Sequence, residues 1–372
     1  MTLAIILGTR PEVIKLAPVI RAAEAANLTV QLIHTNQHYS ERMDRVFFED
    51  LELPAPTVNL GIGSGSHGAQ TGRMLEAIEA ELLARRPDAV LVQGDTNTVV
   101  AGGLAAAKLG IKLGHVEAGL RSYDRSMPEE LNRIVVDHLA DYLFAPTAHA
   151  DAILAQEGLP SERRFITGNT VVDTVLQHRA LAAERSTVLG DLGLTQEQYL
   201  LLTLHRPSNV DTADRLAALL VALADVAQAQ ACPIVFPAHP RTLARLTEFS
   251  LTVPEGIRVI EPGGYLDFLS LQEYARLILT DSGGIQEEAC ILGVPAVTLR
   301  DTTERPETVE VGASLLAGTP EEIGPAVATM LARPRGWSNP FGDGHAAERI
   351  VAIVSGTPVQ PLTTPIEQGV VA

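Results

Sequence analysis

Short apolar runs alternate with longer stretches of helical periodicity, in two successive series along the chain. This alternation constrains the fold more than any other feature. A strand, a helix and a second strand in succession imply a crossover, so the strands run parallel with helices on both faces of the sheet. In the first series, 3–7 (LAIIL), 29–35, 88–95 (DAVLVQGD), 111–119 (IKLGHVEAG) and 141–147 read as strands. A helix opening at Pro11, and stretches 66–86, 97–109, 131–140 and 148–157, carry the helical spacing. In the second series, the strands are 199–206, 233–240, 256–262, 275–284, 294–300 and 314–318, separated by helices over 212–229, 241–248, 265–274 and 285–292. Gly168-Asn169-Thr170 reads as the joint, leading into a helix over 170–185. The expected fold class is α/β: two Rossmann-like doubly wound domains, 1–168 and 169–344, around a cleft. Helix 345–356 is expected to rejoin the first domain, and 357–372 to be a loose tail.

Composition narrows the function. The chain has 372 residues, 46% of them hydrophobic and 20% charged, enough to build two cores. Lys and Arg number 28 against 45 Asp and Glu, a net charge of −17 that argues against nucleic acid or anionic membrane as a partner. Cys232 and Cys290 lie in apolar runs and read as buried thiols in a reducing compartment, without disulfide or zinc spacing. No basic segment precedes the short apolar run at the N-terminus, and no run reaches the roughly 20 residues of a membrane span. The expectation by exclusion is a soluble cytoplasmic protein.

Ligands of open parallel sheets bind beyond the carboxyl ends of the strands. Seven polar clusters fall there: Gly8-Thr9-Arg10, Gln37-His38, Gly94-Asp95-Thr96, His115-Val116-Glu117, His205-Arg206, His239-Pro240 and Asp281-Ser282-Gly283-Gly284. Each alone reads equally as a turn or cap; together they read as one lining. TDSGGIQEEA (280–289) is the sharpest. Small residues between a strand and a helix start offer backbone N–H groups and the helix dipole to a phosphate, although Asp281 or Ser282 would also serve as an ordinary cap. Arg10 can form a planar fork to a diphosphate, with Lys15 one turn on, where it also fits a solvated helix face. Asp95, Glu117 and the pair Glu129-Glu130 are carboxylates placed for proton transfer, or for capping and ion pairing. His205 and His239 read as ligand contacts or as hydrogen-bonded histidines. No metal-ligand spacing is present.

The motifs GTRPEVIKLAP (8–18), QHYSERM (37–43), GDTNT (94–98), HVEAGLRS (115–122), MPEELNR (127–133), GNTVVD (168–173), LHRPSN (204–209), LTDSGGIQEEA (279–289), RDTTERPE (300–307) and NPFGDG (339–344) occur in one collinear order. In this set the chain resembles the non-hydrolysing UDP-N-acetylglucosamine 2-epimerases. The resemblance implies a glycosyltransferase-B-like fold, usually a homodimer, and interconversion of UDP-GlcNAc and UDP-ManNAc at carbon 2. It implies anti elimination of UDP to a 2-acetamidoglucal and re-addition, with no metal or nicotinamide cofactor. Carried over by motif position, Asp95, Glu117 and Glu129 form the acid–base set and His205 a diphosphate and transition-state partner. Arg10, Ser282, Gly283 and Gly284 bind the diphosphate with Lys15 nearby, and His239 joins the substrate contacts. Glu288 accepts the ribose hydroxyls. Phe268 falls where the family sets an aromatic beside uracil, and also reads as core of its own helix.

Two departures stand out. The loop 122–127 (SYDRSM) is shorter than in many bacterial members, and His205-Arg206 continues Pro-Ser-Asn where many carry a second Arg. Gln37, Gln70, Glu129 and Arg206 fall near positions associated, in some members, with a second, activating UDP-GlcNAc. The departures leave both the effector site and a more decorated sugar, such as a diacetamido uronic acid, open. A hydrolysing epimerase that releases ManNAc and UDP is the nearest rival in the same fold.

Overall fold

The computed structural model describes residues 1–37, 48–359 and 362. His38 and the rest of the QHYSERM motif, with most of the expected tail, lie outside them. The chain forms two compact units, Met1–Leu176 with Phe341–Ala372, and Gln177–Pro340. Among the described residues no helix is long and apolar enough to cross a membrane.

The first unit is built on a seven-stranded sheet: β1 (Thr2–Leu7), β2 (Thr29–His34), β3 (Val58–Asn59), β4 (Ala89–Gln93), β5 (Lys112–Val116), β6 (Tyr142–Ala145) and β7 (Arg164–Ile166). Their order is β3-β2-β1-β4-β5-β6-β7, and every pair is parallel. β1 is buried from Leu3 to Leu7, as a central strand covered on both faces must be. The order reverses between β1 and β4, where Leu3 pairs with Ala89 and Ile5 with Leu91. At that switch point the two crossovers leave in opposite directions and open a crevice. Helix Asn97–Lys108 packs closely over β1 and β4. A Cβ on Gly102 would lie 3.1 Å from Ile6 and 3.2 Å from Val92, which is why this helix is rich in Gly and Ala. Helix Ala346–Ser355 belongs to the same unit; Asp173 accepts from its first N–H groups, at Ala346 (3.3 Å) and Ala347 (2.9 Å).

The second unit repeats the plan with six parallel strands: β8 (Leu200–Thr203), β9 (Ile234–Pro237), β10 (Ile257–Ile260), β11 (Leu277–Thr280), β12 (Ala296–Thr298) and β13 (Ser314–Leu316). Their order is β10-β9-β8-β11-β12-β13. Its switch point lies between β8 and β11, with Thr203 opposite Thr280 at the carboxyl edge. Leu202, Phe236, Leu279 and Val297 pack with Leu216, Leu219, Leu220 and Leu223 of helix Ala213–Gln230 on one face; Tyr199, Leu201, Val235 and Ile278 form a core cluster on the other.

The first helix begins at Arg10, one residue before the expected start, so Pro11 is its second residue. The first four N–H groups of a helix have no partner within it, so Pro fits either position. β3, β7 and helix Pro320–Ala332 have no counterpart in the sequence reading. The two strands are edge pieces of two and three residues, and the helix contains Pro325.

Candidate active site

In the first unit, the residues singled out by sequence gather at the carboxyl ends of β1, β4 and β5. Arg10 opens helix Arg10–Ala25 directly after the β1 turn. That turn admits only glycine at position 8: a Cβ would come within 2.0 Å of the Thr35 hydroxyl and 2.4 Å of that of Thr98. Asp95 follows Gly94, whose φ of +81° turns the chain sharply at the end of β4. The Asp95 carboxylate receives the Arg133 guanidinium, and its carbonyl accepts from Asn132 Nδ2 at 2.9 Å. Arg133 also donates to Glu130 at 3.0 Å, so helix Pro128–Leu139 presents Glu130 and Arg133 as a pair beside Asp95. Glu129, on the same first turn, is half-buried.

Glu117 sits at the end of β5 with φ +69°, a left-handed backbone unusual for a residue with a side chain and often found at functional sites. Lys15 Nζ donates to its two oxygens at 2.7 and 2.9 Å, and Gln93 Nε2 donates to Oε2. Lys15 is therefore buried against a carboxylate and does not lie on a solvated helix face. Beneath both turns, buried His115 faces Asp137 through Nδ1 (2.7 Å) and the Gly94 carbonyl through Nε2 (2.8 Å). Asp137 also accepts from Gly119 N–H and from Arg121. Burial alone would raise the Asp137 carboxyl, but the charges and hydrogen bonds of His115 and Arg121 hold it below the usual carboxylate range.

Gln37 and Gln70 lie together in one buried network. Gln37 Oε1 accepts from Thr98 N–H and hydroxyl (3.2 and 2.9 Å). Gln70 donates to the carbonyls of Gln37 and Gly63 and accepts from Asn97. Arg206 belongs to the second unit.

In the second unit, Asp281 organises the switch point. Its carboxylate accepts from the backbone N–H groups of His205 (3.0 Å) and Arg206 (2.9 Å) and lies 2.9 Å from His205 Nδ1. Burial pushes this carboxyl up, and the bonds from His205 and Arg206 more than compensate, leaving it below its ordinary value. His205 and His239 are neighbours, with ring centroids 5.9 Å apart, and His239 Nδ1 caps helix Pro240–Glu248 through Arg241 N–H (3.2 Å). Ser282, Gly283 and Gly284 form the N-cap and first turn of helix Gly283–Leu292. A Cβ on Gly283 would lie 3.8 Å from the Glu304 carboxylate. Glu304 takes the Arg300 fork at 2.7 and 2.8 Å, with Arg206 3.8 Å away. Burial opposes its charge, but Arg300 first and then Arg206 and Arg305 pull its carboxyl down to about 2. Glu288 is buried on the same helix and accepts from Gln272 Nε2 at 2.5 Å. Phe268 is half-buried and packs against the core cluster around Tyr199, so core packing accounts for at least part of its surface.

The sequence reading passed over four residues that hold this site: Glu12, whose carboxylate accepts from the Gly8 and Thr9 N–H groups beside Arg10, Arg133 beside Asp95, Asp137 beside His115, and Glu304. Only Glu12 carried a local signal, the Thr-x-x-Glu spacing of a capping box at Thr9. Among the described residues no group of three or more His, Cys, Asp or Glu is placed to hold a metal.

Two doubly wound parallel sheets, each with its polar cluster at the switch point, define a glycosyltransferase-B-like α/β protein. Residues 21–355 match the family model for UDP-N-acetylglucosamine 2-epimerase, and the chain belongs to that family. It is 54% identical over 362 residues to the UDP-N-acetylglucosamine 2-epimerase of Methanocaldococcus jannaschii, covering 95% of this chain and 99% of that one. The UDP-2,3-diacetamido-2,3-dideoxy-D-glucuronate 2-epimerase of Pseudomonas aeruginosa is 41% identical, over 94% of this chain and 98% of its own length. Among solved structures, the M. jannaschii enzyme in complex with UDP-GlcNAc and UDP superposes with a TM-score of 0.91 at 54% identity, covering 96% of this chain and 100% of that one. The Neisseria meningitidis enzyme bound to UDP-GlcNAc gives a TM-score of 0.87 at 32% identity, over 96% of this chain and 100% of that one.

Proposed function

We propose that the protein interconverts UDP-GlcNAc and UDP-ManNAc by inverting carbon 2 without hydrolysis, as a cytoplasmic homodimer. The observation that carries this is the placement of Asp95 and Glu117, which follow adjacent strands, each against its own cation. The 54% identity to an enzyme of that name supports the choice of sugar over the diacetamido uronate, whose epimerase is 41% identical.

The proton on carbon 2 is not activated by a carbonyl, so its removal must accompany loss of the diphosphate. In this mechanism a carboxylate takes the proton from carbon 2, the bond from carbon 1 to the UDP oxygen breaks, and the electron pair becomes the double bond of 2-acetamidoglucal. An acid on the opposite face then returns a proton to carbon 2, and the UDP oxygen re-forms its bond to carbon 1. Asp95, Glu117 and Glu129 supply base and acid. His205, held by Asp281, meets charge developing on the diphosphate. Arg10 and the N–H groups of Ser282, Gly283 and Gly284 hold the departing UDP, with Lys15, paired to Glu117, nearby. Glu288 accepts the ribose hydroxyls, Phe268 lies beside uracil, and His239 completes the substrate contacts.

The test is incubation of purified protein with UDP-GlcNAc and separation of the products. UDP-ManNAc at equilibrium supports the proposal. UDP with free ManNAc would make the protein a hydrolysing epimerase. Turnover of the diacetamido uronate alone would change the substrate.

A further inference from the structure

Glu12 is a carboxylate that the mechanism above does not use. It is 1% exposed and fully engaged. Its Oε2 accepts from the N–H groups of Gly8 (2.6 Å) and Thr9 (2.8 Å), in the turn that leads into Arg10. Its Oε1 accepts from the Thr96 hydroxyl at 2.5 Å, 84 residues away in sequence. Thr96 directly follows Asp95 and caps helix Asn97–Lys108 through Val99 N–H. One buried side chain thus joins the turn after β1 to the turn after β4, across the switch point. Gly94, at the start of the second turn, adopts a left-handed backbone that no side chain of its own restrains. Besides the tie at Thr96, that turn is held by Asn132, Arg133 and His115 and by the Val116 carbonyl, which accepts from Gly94 N–H at 3.1 Å.

We propose that Glu12 is a positioning residue for the epimerisation, a staple that fixes the Asp95 turn relative to the Arg10 turn through the Thr96 hydroxyl. It donates and accepts no proton of the reaction. The proposal rests on the role given to Asp95 above. A carboxylate must meet the carbon 2 proton at close range, and misplacement by about 1 Å can cost on the order of 10²-fold in rate.

The experiment compares Glu12→Ala, Thr96→Val, the double variant and Thr96→Ser with the parent protein, reading kcat, KM and UDP affinity. Thr96→Val keeps the volume of the side chain and guards against a misfolded Glu12→Ala. Thr96→Val is expected to lower kcat roughly tenfold to a hundredfold with KM and UDP affinity nearly unchanged. The double variant should be no slower than Glu12→Ala alone, because both changes break the same Glu12–Thr96 bond, and Thr96→Ser should restore kcat. Additive losses, or full kcat in Thr96→Val, would overturn the staple. Asp95→Asn is measured alongside. Turnover surviving there would instead refute the role of Asp95, whatever Glu12 does.

Discussion

Lys15 Nζ lies 2.7 Å from one Glu117 oxygen and 2.9 Å from the other, with side-chain exposures of 11% and 5%. A buried pair of this kind is costly to break from one side, because the remaining buried charge loses an ion-pair partner in low dielectric.

Lys15→Met should therefore destabilise the protein by about 3 kcal/mol and suppress turnover. Pairing it with Glu117→Gln should recover most of the stability but none of the activity. Denaturant unfolding of the two single variants and the double variant checks this, and stability losses that simply add would contradict it.

Asp95→Asn should abolish epimerisation while UDP still binds. The substitution removes a group of the acid–base set but leaves the groups around Ser282 and Glu288 untouched. Calorimetric titration with UDP, alongside a turnover assay, separates the two properties.

Glu288→Ala should act the other way, weakening UDP binding roughly tenfold to a hundredfold, the range for a lost hydrogen bond to a charged acceptor. Unchanged UDP affinity would remove Glu288 from the ribose contact.

Two buried carboxyls give opposite pH signatures. Glu304 is drawn down from 4.5 to about 2 despite its burial by Arg300, Arg206 and Arg305, so its contribution is present above pH 4.5 and is lost as pH falls towards 2. Glu12 is raised from 4.5 to about 7 by burial, against the hydrogen bonds from Thr96, Gly8 and Thr9, so its contribution is present below pH 4.5 and is lost as pH rises towards 7. Unfolding free energies across pH 3–8 should show Glu304→Gln losing its disadvantage on acidification. Glu12→Gln should gain on the parent between pH 4.5 and 7. Parallel curves would contradict both assignments.

The strands were visible in the sequence because central parallel strands are buried on both faces and end abruptly in polar residues, as LAIIL before Gly8 and LILT before Asp281 show. β3 and β7 were not, because short edge strands bury too little to leave an apolar run. Positions such as Asp95 and His205 were readable as strand ends, but their partners were not. Arg133 reaches Asp95 across 38 residues, Asp281 reaches His205 across 76, and Glu12 reaches Thr96, beside Asp95, across 84, and no local spacing records such a meeting. Lys15 shows the cost: its place one turn after Arg10 pointed to a diphosphate or to solvent, and only the fold brings Glu117 against it.

The most direct test of the central claim is proton NMR of the protein with UDP-GlcNAc in deuterated water. Elimination and re-addition predict UDP-ManNAc carrying deuterium at carbon 2, with deuterium entering recovered UDP-GlcNAc at the same carbon as equilibrium is reached. UDP-ManNAc that keeps its original proton at carbon 2 would contradict proton loss to a carboxylate, and the acid–base roles of Asp95, Glu117 and Glu129 with it.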